Sequence, residues 1–453
     1  MTSFLFVKKQ LIFNLKLIYK ISKKQLRDNI LIDLPASKSL SNRALILKGL
    51  CESDNSNEGD CELSHISDCD DTKVMLAAHS KDKDSYVFDG DYRIVDIGAA
   101  GTSMRFLTAY FAAQEGAKVI MTGSERMRQR PISVLVDALR KLGADVEYVD
   151  NEGFPPLRIN GKKLEGGKLE IDGSISSQYI SALLMIAPTL QQGLELHLLG
   201  NVTSVPYIRM TLSMMQEFGV SSAFDDCIIK IAPSHYKSIP YSVESDWSAA
   251  SYWYEVLATT PKLHSIRLKG LRLDSTQGDM HVADYFHELG IDTEPCAEGV
   301  LIKRSNRPLP EQVEWDMSSQ PDLAQTMICT LCWLGVPFDI KGLHTLRIKE
   351  TDRIAALENE LANLGYIVED SDNDRMYWDG YTAIDDEVAI QLAETQTFGP
   401  IATYKDHRMA MAFAPLCNEA CSIKINEPEV VSKSYPSFWN DMKAIGYIIN
   451  KVK

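Results

Sequence analysis

A helical segment that closes on a glycine and leads into a strand-like run recurs along this chain of 453 residues. The glycines are spaced 71–81 residues apart, and a sixth, degenerate copy fits residues 70–78. They are Gly143, Gly219, Gly290, Gly365 and Gly446. Self-similarity at a nearly constant period is typical of repeat architectures, and such glycines commonly end helices. The chain is therefore predicted to contain six similar units.

A second helical segment recurs between those glycines, and small or polar residues open it each time. The openings are residues 37–43, 101–103, 176–178, 246–248, 320–322 and 405–407. The first also carries Lys38 and Arg43, so hydroxyls, cations and free backbone N–H groups could hold one anion. A single such turn is as readily an ordinary N-cap on a solvated helix. Repetition of the pattern favours anion binding.

One unit of about 75 residues buries too little apolar surface to be stable alone, so the units must stack. Each unit has two helical segments and about three or four strand-like runs. The chain length favours two halves of three units, with a seam near residues 240–242. We therefore expect an α/β fold in which the helix starts of both halves face a shared cleft.

Composition indicates a soluble globular enzyme, with 45% hydrophobic and 24% charged residues and no apolar stretch of membrane-spanning length. A net charge of −15 argues against nucleic acid or an acidic membrane as a partner. The nine cysteines are scattered, which favours reduced thiols in the cytoplasm. Cys329 and Cys332 lie in an apolar helical run without a second pair, which favours core packing over zinc or redox chemistry.

The first 27 residues contain seven Lys or Arg and no acid. They lack the long apolar core of a signal peptide. We expect residues 1–18 to be a non-functional extension, with an organellar transit peptide as the alternative, and the folded chain to begin near Tyr19. Residues 53–60 are predicted to form a surface loop and residues 370–374 a hairpin turn.

Six blocks in order along the chain resemble the signature blocks of the EPSP synthase family. They are residues 35–43, 98–105, 126–132, 172–178, 349–353 and 406–410. The resemblance runs from about residue 19 to the C-terminus. It implies two similar domains, each built from three βαβαββ units, with the active site in the interdomain cleft. The N-terminal strand of the family crosses to the second half, so the expected domains are 36–242 and 19–35 plus 243–453.

The resemblance implies transfer of the enolpyruvyl group of phosphoenolpyruvate to the 5-hydroxyl of shikimate 3-phosphate, with release of phosphate. It implies no metal or organic cofactor. With the charge and cysteine observations above, we expect a cytoplasmic protein that binds neither nucleic acid nor membranes, and a monomer is the simplest expectation. Together the two substrates bring about five or six negative charges. Seven cations at matching positions face two carboxylates. Crowding so many like charges predicts a cleft that closes around its anions.

The family's substrate contacts carry over to fourteen residues of this sequence. Those to shikimate 3-phosphate are Lys38, Ser39, Arg43, Ser176, Ser177, Ser204, Asp322 and Lys349. Those to phosphoenolpyruvate are Lys38, Gly101, Arg130, Gln178, Arg353, Arg408 and Lys433. Lys38 would hold both substrates in register. The absence of a side chain at Gly101 would let a backbone N–H approach the ligand.

For catalysis, Asp322 is the candidate base for the attacking hydroxyl and Glu350 the candidate acid for the methylene carbon. His407 is a candidate for assisting proton movement. Neighbouring Lys349 and Arg353 should lower the pKa of Glu350, so burial must offset them if Glu350 is to donate a proton near neutral pH.

Other interpretations stay open at this point. Residues 349–353 alone could form a solvated ion-pair face, and Trp247 is expected in the core. Ala99 and Phe106 depart from the usual family residues beside the phosphoenolpyruvate loop, which predicts a slightly shifted loop and altered affinity for phosphoenolpyruvate and glyphosate. Thr345 departs from the usual residue near the shikimate ring. The sister transferase acting on UDP-N-acetylglucosamine typically uses a loop cysteine, which the matching loop near residues 126–131 lacks. A catalytically silent phosphosugar-binding protein is the alternative from another class.

Overall fold

The computed structural model describes residues 17–452 except 54–60, 81, 83, 85, 175, 201, 203, 373 and 385. The expectation of a non-functional extension at residues 1–18 falls almost wholly outside the described residues. So does most of the surface loop expected at residues 53–60. No helix in the described ranges is long and apolar enough to span a membrane.

Short strands and helices alternate along the described chain. The strands are β1 (Ile18–Lys23), β2 (Ile30–Asp33), β3 (Leu63–Ser64), β4 (Val87–Asp89), β5 (Tyr92–Asp96), β6 (Lys118–Thr122), β7 (Asp145–Tyr148), β8 (Leu157–Asn160), β9 (Gly167–Asp172), β10 (Leu194–Leu199), β11 (Ala223–Asp225), β12 (Ile228–Ile231), β13 (Tyr241–Ser242), β14 (Ser265–Lys269), β15 (Ile291–Cys296), β16 (Gly299–Arg304), β17 (Val313–Asp316), β18 (Phe338–Lys341), β19 (Glu369–Ser371), β20 (Arg375–Trp378), β21 (Thr397–Ile401), β22 (Ser422–Asn426) and β23 (Tyr447–Val452). The α-helices are α1 (Lys38–Glu52), α2 (Asp70–Ala78), α3 (Gly101–Ala113), α4 (Glu125–Arg128), α5 (Ser133–Lys141), α6 (Ser177–Ile186), α7 (Val205–Glu217), α8 (Trp247–Ala258), α9 (Val282–Glu288), α10 (Ala324–Leu334), α11 (Arg353–Ala362), α12 (Asp386–Thr395), α13 (His407–Phe413) and α14 (Phe438–Ile445). Short 3-10 helices lie at Ala187–Thr189, Gly278–His281, Pro321–Leu323, His344–Ile348 and Pro428–Lys433.

The strands form six sheets within the described residues, five of four or five strands and one of two. In one complete unit, β17 runs parallel to β18, β20 pairs antiparallel with β18, and β19 pairs antiparallel with β20. That last pair confirms the hairpin expected at residues 370–374. The two-stranded sheet of β3 and β13 belongs to the degenerate copy. Six units in an α/β fold are confirmed.

Each glycine of the repeat lies one to three residues beyond a helix end, as the pattern predicts. Gly143 follows α5 with φ of 100°, and Gly446 follows α14 with φ of 126°. Only a residue without a Cβ adopts this backbone conformation without strain, which is why glycine recurs there.

The two N-terminal strands complete sheets that otherwise come from the second half of the chain. β1 lies between β22 and β23, antiparallel to both, and β2 runs parallel to β14. The predicted crossing of the N-terminal strand is therefore present. Ile21, at the centre of β1, is fully buried against the second-half core.

Buried apolar residues form two separate cores. One core contains residues from 36 to 243, which we call the first lobe, and the other contains residues 21–34 and 247–447, which we call the second lobe. We propose that these lobes are two domains, 36–242 and 19–35 plus 243–453. Trp247, Cys329 and Cys332 lie in the second core with at most 1% exposure, in line with packing roles.

Replacing Ile21 by alanine should destabilise the second lobe by about 2–5 kcal/mol, because it opens a cavity in a central strand. Urea unfolding followed by tryptophan fluorescence would measure this loss. Lys20→Ala is the control, since Lys20 points to the other side of β1 and surface changes usually cost under about 0.5 kcal/mol. Equal stability of the two variants would contradict the structural role of β1.

Candidate active site

A cavity of about 300 Å³ lies between the two lobes, where the helix starts converge. The starts of α1, α3, α6 and α13 and the 3-10 helix before α10 supply lining residues. The sixth start, that of α8, lies behind the cavity. There Asp246 accepts hydrogen bonds from the backbone N–H of Lys38 and of Ala249, both at 3.1 Å, and so ties the two lobes together.

Fifteen of the sixteen predicted site residues line this cavity. They are Lys38, Ser39, Arg43, Gly101, Arg130, Ser176, Ser177, Gln178, Ser204, Asp322, Lys349, Glu350, Arg353, His407 and Arg408. Lys433 is not among the lining residues, and its Nζ donates a hydrogen bond at 2.8 Å to the carbonyl oxygen of Lys405. Lys349 and Glu350 precede α11 and face the cavity, so the solvated ion-pair interpretation is wrong.

Arg353 is the hub of the charged network on the second-lobe side. Its Nε donates to Asp406 at 2.8 Å, its Nη1 to Asp322 at 3.1 Å and its Nη2 to Glu350 at 2.9 Å. The Arg353 side chain is only 2% exposed. Burial alone would lower the pKa of Arg353, but these three carboxylates raise it above its usual range.

Asp322 is shared among three cations. Besides Arg353, its carboxylate pairs with Arg408 at 3.0 Å and with Lys349 at 3.5 Å. Burial would raise the pKa of Asp322, but the surrounding positive charges outweigh it and hold the pKa well below the usual range. The carboxylate is therefore ionised and available to accept hydrogen bonds or a proton.

Glu350 was expected to donate a proton only if burial outweighed the neighbouring cations, but in the structure the cations have the larger effect on its pKa. Burial would raise its pKa, but positive charge from Arg353 and other neighbours, among them Arg130 and Lys38, holds the pKa well below the usual range. The protein's own charges thus keep Glu350 ionised. A proton-donor role requires additional negative charge near these cations.

Lys38 pairs with a carboxylate that the sequence analysis missed. Its Nζ lies 3.4 Å from Oδ2 of Asp71, at the start of α2. Burial would lower the pKa of Lys38, but Asp71 raises it above the usual range. Burial in turn raises the pKa of Asp71 despite the attraction of Lys38. The sequence showed Asp71 only as an acid in a helical first turn, which commonly just favours the helix dipole.

Arg43 has no carboxylate partner among the described residues. Its guanidinium donates to Thr211 Oγ1 at 2.7 Å, to Ser181 Oγ at 3.0 Å and to the Ser39 carbonyl at 2.9 Å. The ring of Phe106 lies 5.2 Å from the guanidinium carbon, a cation–π contact made by one of the unusual residues. Burial lowers the pKa of Arg43 to about 10, so it remains a buried cation at neutral pH.

Arg130 is a second cation without an acid partner in the described chain. Burial lowers its pKa to about 10, and its Nε has no hydrogen-bond partner there. A Cβ built on Gly101 would lie 2.6 Å from Arg130 Nη1. The lack of a side chain at Gly101 therefore makes room for this guanidinium, a reason that the sequence analysis did not give.

His407 is 1% exposed, and neither ring nitrogen has a hydrogen-bond partner among the described residues. Burial holds its pKa well below the usual range, with Lys38 and Arg408 adding to the effect. The imidazole is therefore neutral beside Glu350.

Tyr207 and Asp279 join the lobes at another edge of the cavity. The Tyr207 hydroxyl, on α7 of the first lobe, donates to Asp279 at 3.4 Å, and Ser248 also donates to Asp279. Burial raises the pKa of Asp279 to about 6, and nearby Asp322 adds to the effect.

Several lining residues had no assigned role in the sequence analysis. They are Asp71, Thr102, Arg105, Tyr207 and His344. Arg105 lies inside a signature block, and it donates to the carbonyls of Gly101 and Pro131 at 3.1 and 3.3 Å, so the block itself held the signal. The unusual Thr345 also lines the cavity, and its hydroxyl lacks a described partner.

Comparisons with known proteins agree with the signature blocks. A family model described as EPSP synthase (3-phosphoshikimate 1-carboxyvinyltransferase) matches residues 23–442. A protein named 3-phosphoshikimate 1-carboxyvinyltransferase from Bacteroides fragilis is 49% identical over 92% of this chain and 95% of its own length. One with the same name from Vibrio vulnificus is 35% identical over 91% and 96%. The solved EPSP synthase of Acinetobacter baumannii, at 20% identity, shares the fold with a TM-score of 0.72 over 96% of this chain and 100% of that one.

Fold and site together define an enolpyruvyl transferase, with two lobes of three units around a cationic cleft. The chain belongs to the EPSP synthase family. The predicted family, α/β fold and enzyme class are confirmed.

Asp279→Asn should change how stability depends on pH. The raised pKa means that the folded protein holds this proton more tightly than the unfolded chain. The stability contributed by Asp279 is therefore full below about pH 4 and is lost as the pH rises through 6, on the order of 2–3 kcal/mol. Relative to the wild type, the Asn variant should gain stability over that range in urea unfolding. The exposed Asp284→Asn is the control, and parallel curves for Asp279→Asn and wild type would contradict the prediction.

Proposed function

We propose that this chain transfers the enolpyruvyl group of phosphoenolpyruvate to the 5-hydroxyl of shikimate 3-phosphate, giving 5-enolpyruvylshikimate 3-phosphate and phosphate. The observation that carries the proposal is the cavity between the lobes, where seven Lys and Arg side chains surround three carboxylates. A surplus of cations suits two substrates that each bring a carboxylate and a phosphate. The reaction as written balances without a cofactor.

Shikimate 3-phosphate would occupy the first-lobe side, next to Arg43. Arg43 has no acid partner in the described chain, so an anionic group of the ligand would supply the missing negative charge. The hydroxyls and remaining contacts come from Ser39, Ser176, Ser177, Ser204, Lys349 and Asp322. Serine hydroxyls and cations together suit a phosphate ester.

Phosphoenolpyruvate would lie between Arg130 and the Arg353 network, with its phosphate and carboxylate on guanidinium forks. Its other contacts would be Lys38, Gly101, Gln178 and Arg408. Gln178 is held by a hydrogen bond from its amide to Thr102 Oγ1 at 3.1 Å. Lys433 would add to this set, because its hydrogen bond to the Lys405 carbonyl uses only one of the three N–H donors of its ammonium. Holding both substrates in one cavity makes the reaction effectively unimolecular, which can supply about 7–11 kcal/mol.

The chemistry requires one proton to leave the attacking hydroxyl and one to reach the methylene carbon of phosphoenolpyruvate. Asp322 accepts the first and Glu350 donates the second, while the hydroxyl oxygen bonds to C2. The methyl group then returns a proton to Glu350 as the bond from C2 to the phosphate oxygen breaks, and the leaving phosphate takes the proton held by Asp322. Lys38 holds both substrates in register, and the neutral His407 assists proton movement next to Glu350.

Substrate binding itself supplies the negative charge that Glu350 needs. The phosphate and carboxylate of phosphoenolpyruvate would pair with Arg130, Lys38 and Arg353, the same cations that hold the pKa of Glu350 down. Neutralising them leaves burial as the larger effect, which raises the pKa towards neutral. Glu350 thus becomes an acid only in the loaded site.

We further propose that the chain works as a monomer in the cytoplasm. One chain supplies all residues of the cavity. All nine cysteines lie in the described residues and none forms a disulfide, which supports a reducing compartment.

Phosphate should appear only when shikimate 3-phosphate and phosphoenolpyruvate are supplied together, as a coupled phosphate-release assay would show. Each substrate alone is the control, because simple hydrolysis of phosphoenolpyruvate would need no acceptor. A purified chain that binds both substrates in calorimetry and releases no phosphate would favour the silent phosphosugar-binding protein instead.

Glu350→Gln should lower kcat by about 10²–10⁴-fold, because the amide cannot donate the proton. The Kd for shikimate 3-phosphate, measured by calorimetry, should stay within about twofold, since Glu350 is not among the proposed contacts. Glu369→Gln, an exposed site on β19, is the control. Unchanged turnover in Glu350→Gln would remove Glu350 as the acid.

A further inference from the structure

Glu360 lies two turns along α11 from Arg353 and is 3% exposed. Its carboxylate holds the chain segment before α13. Oε2 accepts a hydrogen bond from the backbone N–H of Ala402 at 3.1 Å, and Oε1 accepts one from the Tyr404 hydroxyl at 2.7 Å. Both oxygens of this buried carboxylate thus accept hydrogen bonds from one turn of the chain.

This turn has an unusual backbone conformation. Tyr404 has φ of 52° and Lys405 has φ of 59°, so two consecutive residues other than glycine lie in the left-handed region. Such residues are strained and persist only where surrounding contacts hold them. The two hydrogen bonds that Glu360 accepts are contacts of this kind.

The turn delivers several groups of the proposed phosphoenolpyruvate subsite. His407 and Arg408 follow it directly, and Asp406 accepts from Arg353 Nε and from the backbone N–H of Arg408. The carbonyl of Lys405 accepts from Lys433. Helix α11 therefore contacts the same segment at two points: Arg353 donates to Asp406, and Glu360 accepts hydrogen bonds from the strained turn.

We propose that Glu360 is a positioning residue that sets the place of His407, Arg408 and Lys433 for phosphoenolpyruvate. The inference rests on the proposed function of the cavity. Most of the shikimate 3-phosphate contacts lie on the first lobe and do not depend on this turn. Loss of Glu360 should therefore weaken the use of one substrate and spare the binding of the other.

The test compares KM for phosphoenolpyruvate with the Kd of shikimate 3-phosphate in the full-length enzyme. Glu360→Ala removes two hydrogen bonds and should raise KM for phosphoenolpyruvate at least about tenfold. The Kd for shikimate 3-phosphate, from calorimetry, should stay within about twofold. Glu360→Gln should restore most of the loss, because its amide oxygen can accept from Ala402 and its NH₂ can donate to the Tyr404 oxygen.

The Gln variant also separates hydrogen bonding from charge, since both substitutions remove the same negative charge. Glu358→Ala is the matched control, a carboxylate on the same helix that makes no hydrogen bond to the turn. If Glu360→Ala does not fold, Tyr404→Phe tests the same link, because it deletes one hydroxyl at a partly exposed site. That variant should raise KM for phosphoenolpyruvate about two- to fivefold.

A KM for phosphoenolpyruvate within twofold of wild type in Glu360→Ala, or in Tyr404→Phe where it is the variant used, would overturn the proposal. An equal rise of KM for phosphoenolpyruvate in Glu360→Gln and Glu360→Ala would also overturn it. So would an equal weakening of the binding of both substrates. A wild-type enzyme without turnover would count against the proposed function. Normal wild-type turnover with unchanged variants would count against the role of Glu360 alone.

Discussion

The guanidinium of Arg353 binds three carboxylates from three separate parts of the chain, and the second-lobe side of the cavity depends on this interaction. Asp322 comes from the 3-10 helix before α10, Glu350 from the loop before α11, and Asp406 from the residue that precedes α13. Each buried charge would be costly alone, and only their mutual compensation makes the arrangement stable. Planar, five-donor geometry explains why arginine fills this place.

Charge is compensated unevenly around the cavity, and the proposed substrate positions follow this imbalance. On the second-lobe side, Arg353 and Arg408 have carboxylate partners. On the first-lobe side, no described carboxylate forms an ion pair with Arg43 or Arg130, and Arg43 instead contacts hydroxyls, a carbonyl and an aromatic ring. A buried cation surrounded by neutral groups gains most from an incoming anion. In the proposed reaction, Arg43 and Arg130 of the first lobe would therefore gain most from the bound anions, while the second lobe would supply Asp322 and Glu350 for proton transfer.

Much of this organisation could be predicted from the sequence, because glycine spacing and polar helix starts are local signals. The helix-ending glycines and the polar helix starts are both present in the structure, and five of the helix starts converge on one cavity. The partner of Lys38 could not be predicted, because Asp71 reaches it only through the packing of α1 against α2. The contact of Lys433 could not be predicted for the same reason, because no sequence motif shows that its ammonium donates to the Lys405 carbonyl. The protonation state of Glu350 could not be predicted either, because burial and the nearby cations shift its pKa in opposite directions and only their distances decide which effect is larger.

The low pKa of Glu350 and Asp322 follows from the same cations that are proposed to bind the substrates, so acid strength and substrate binding would be coupled. A free site keeps both carboxylates ionised, and an ionised Glu350 cannot protonate phosphoenolpyruvate prematurely. Each anionic group that enters neutralises a cation and raises the pKa of its neighbours. In the proposed reaction, shikimate 3-phosphate would neutralise Arg43 and part of the charge of Lys38. Phosphoenolpyruvate would add the anionic groups that pair with Arg130 and Arg353, so Glu350 would become a proton donor once both substrates are bound.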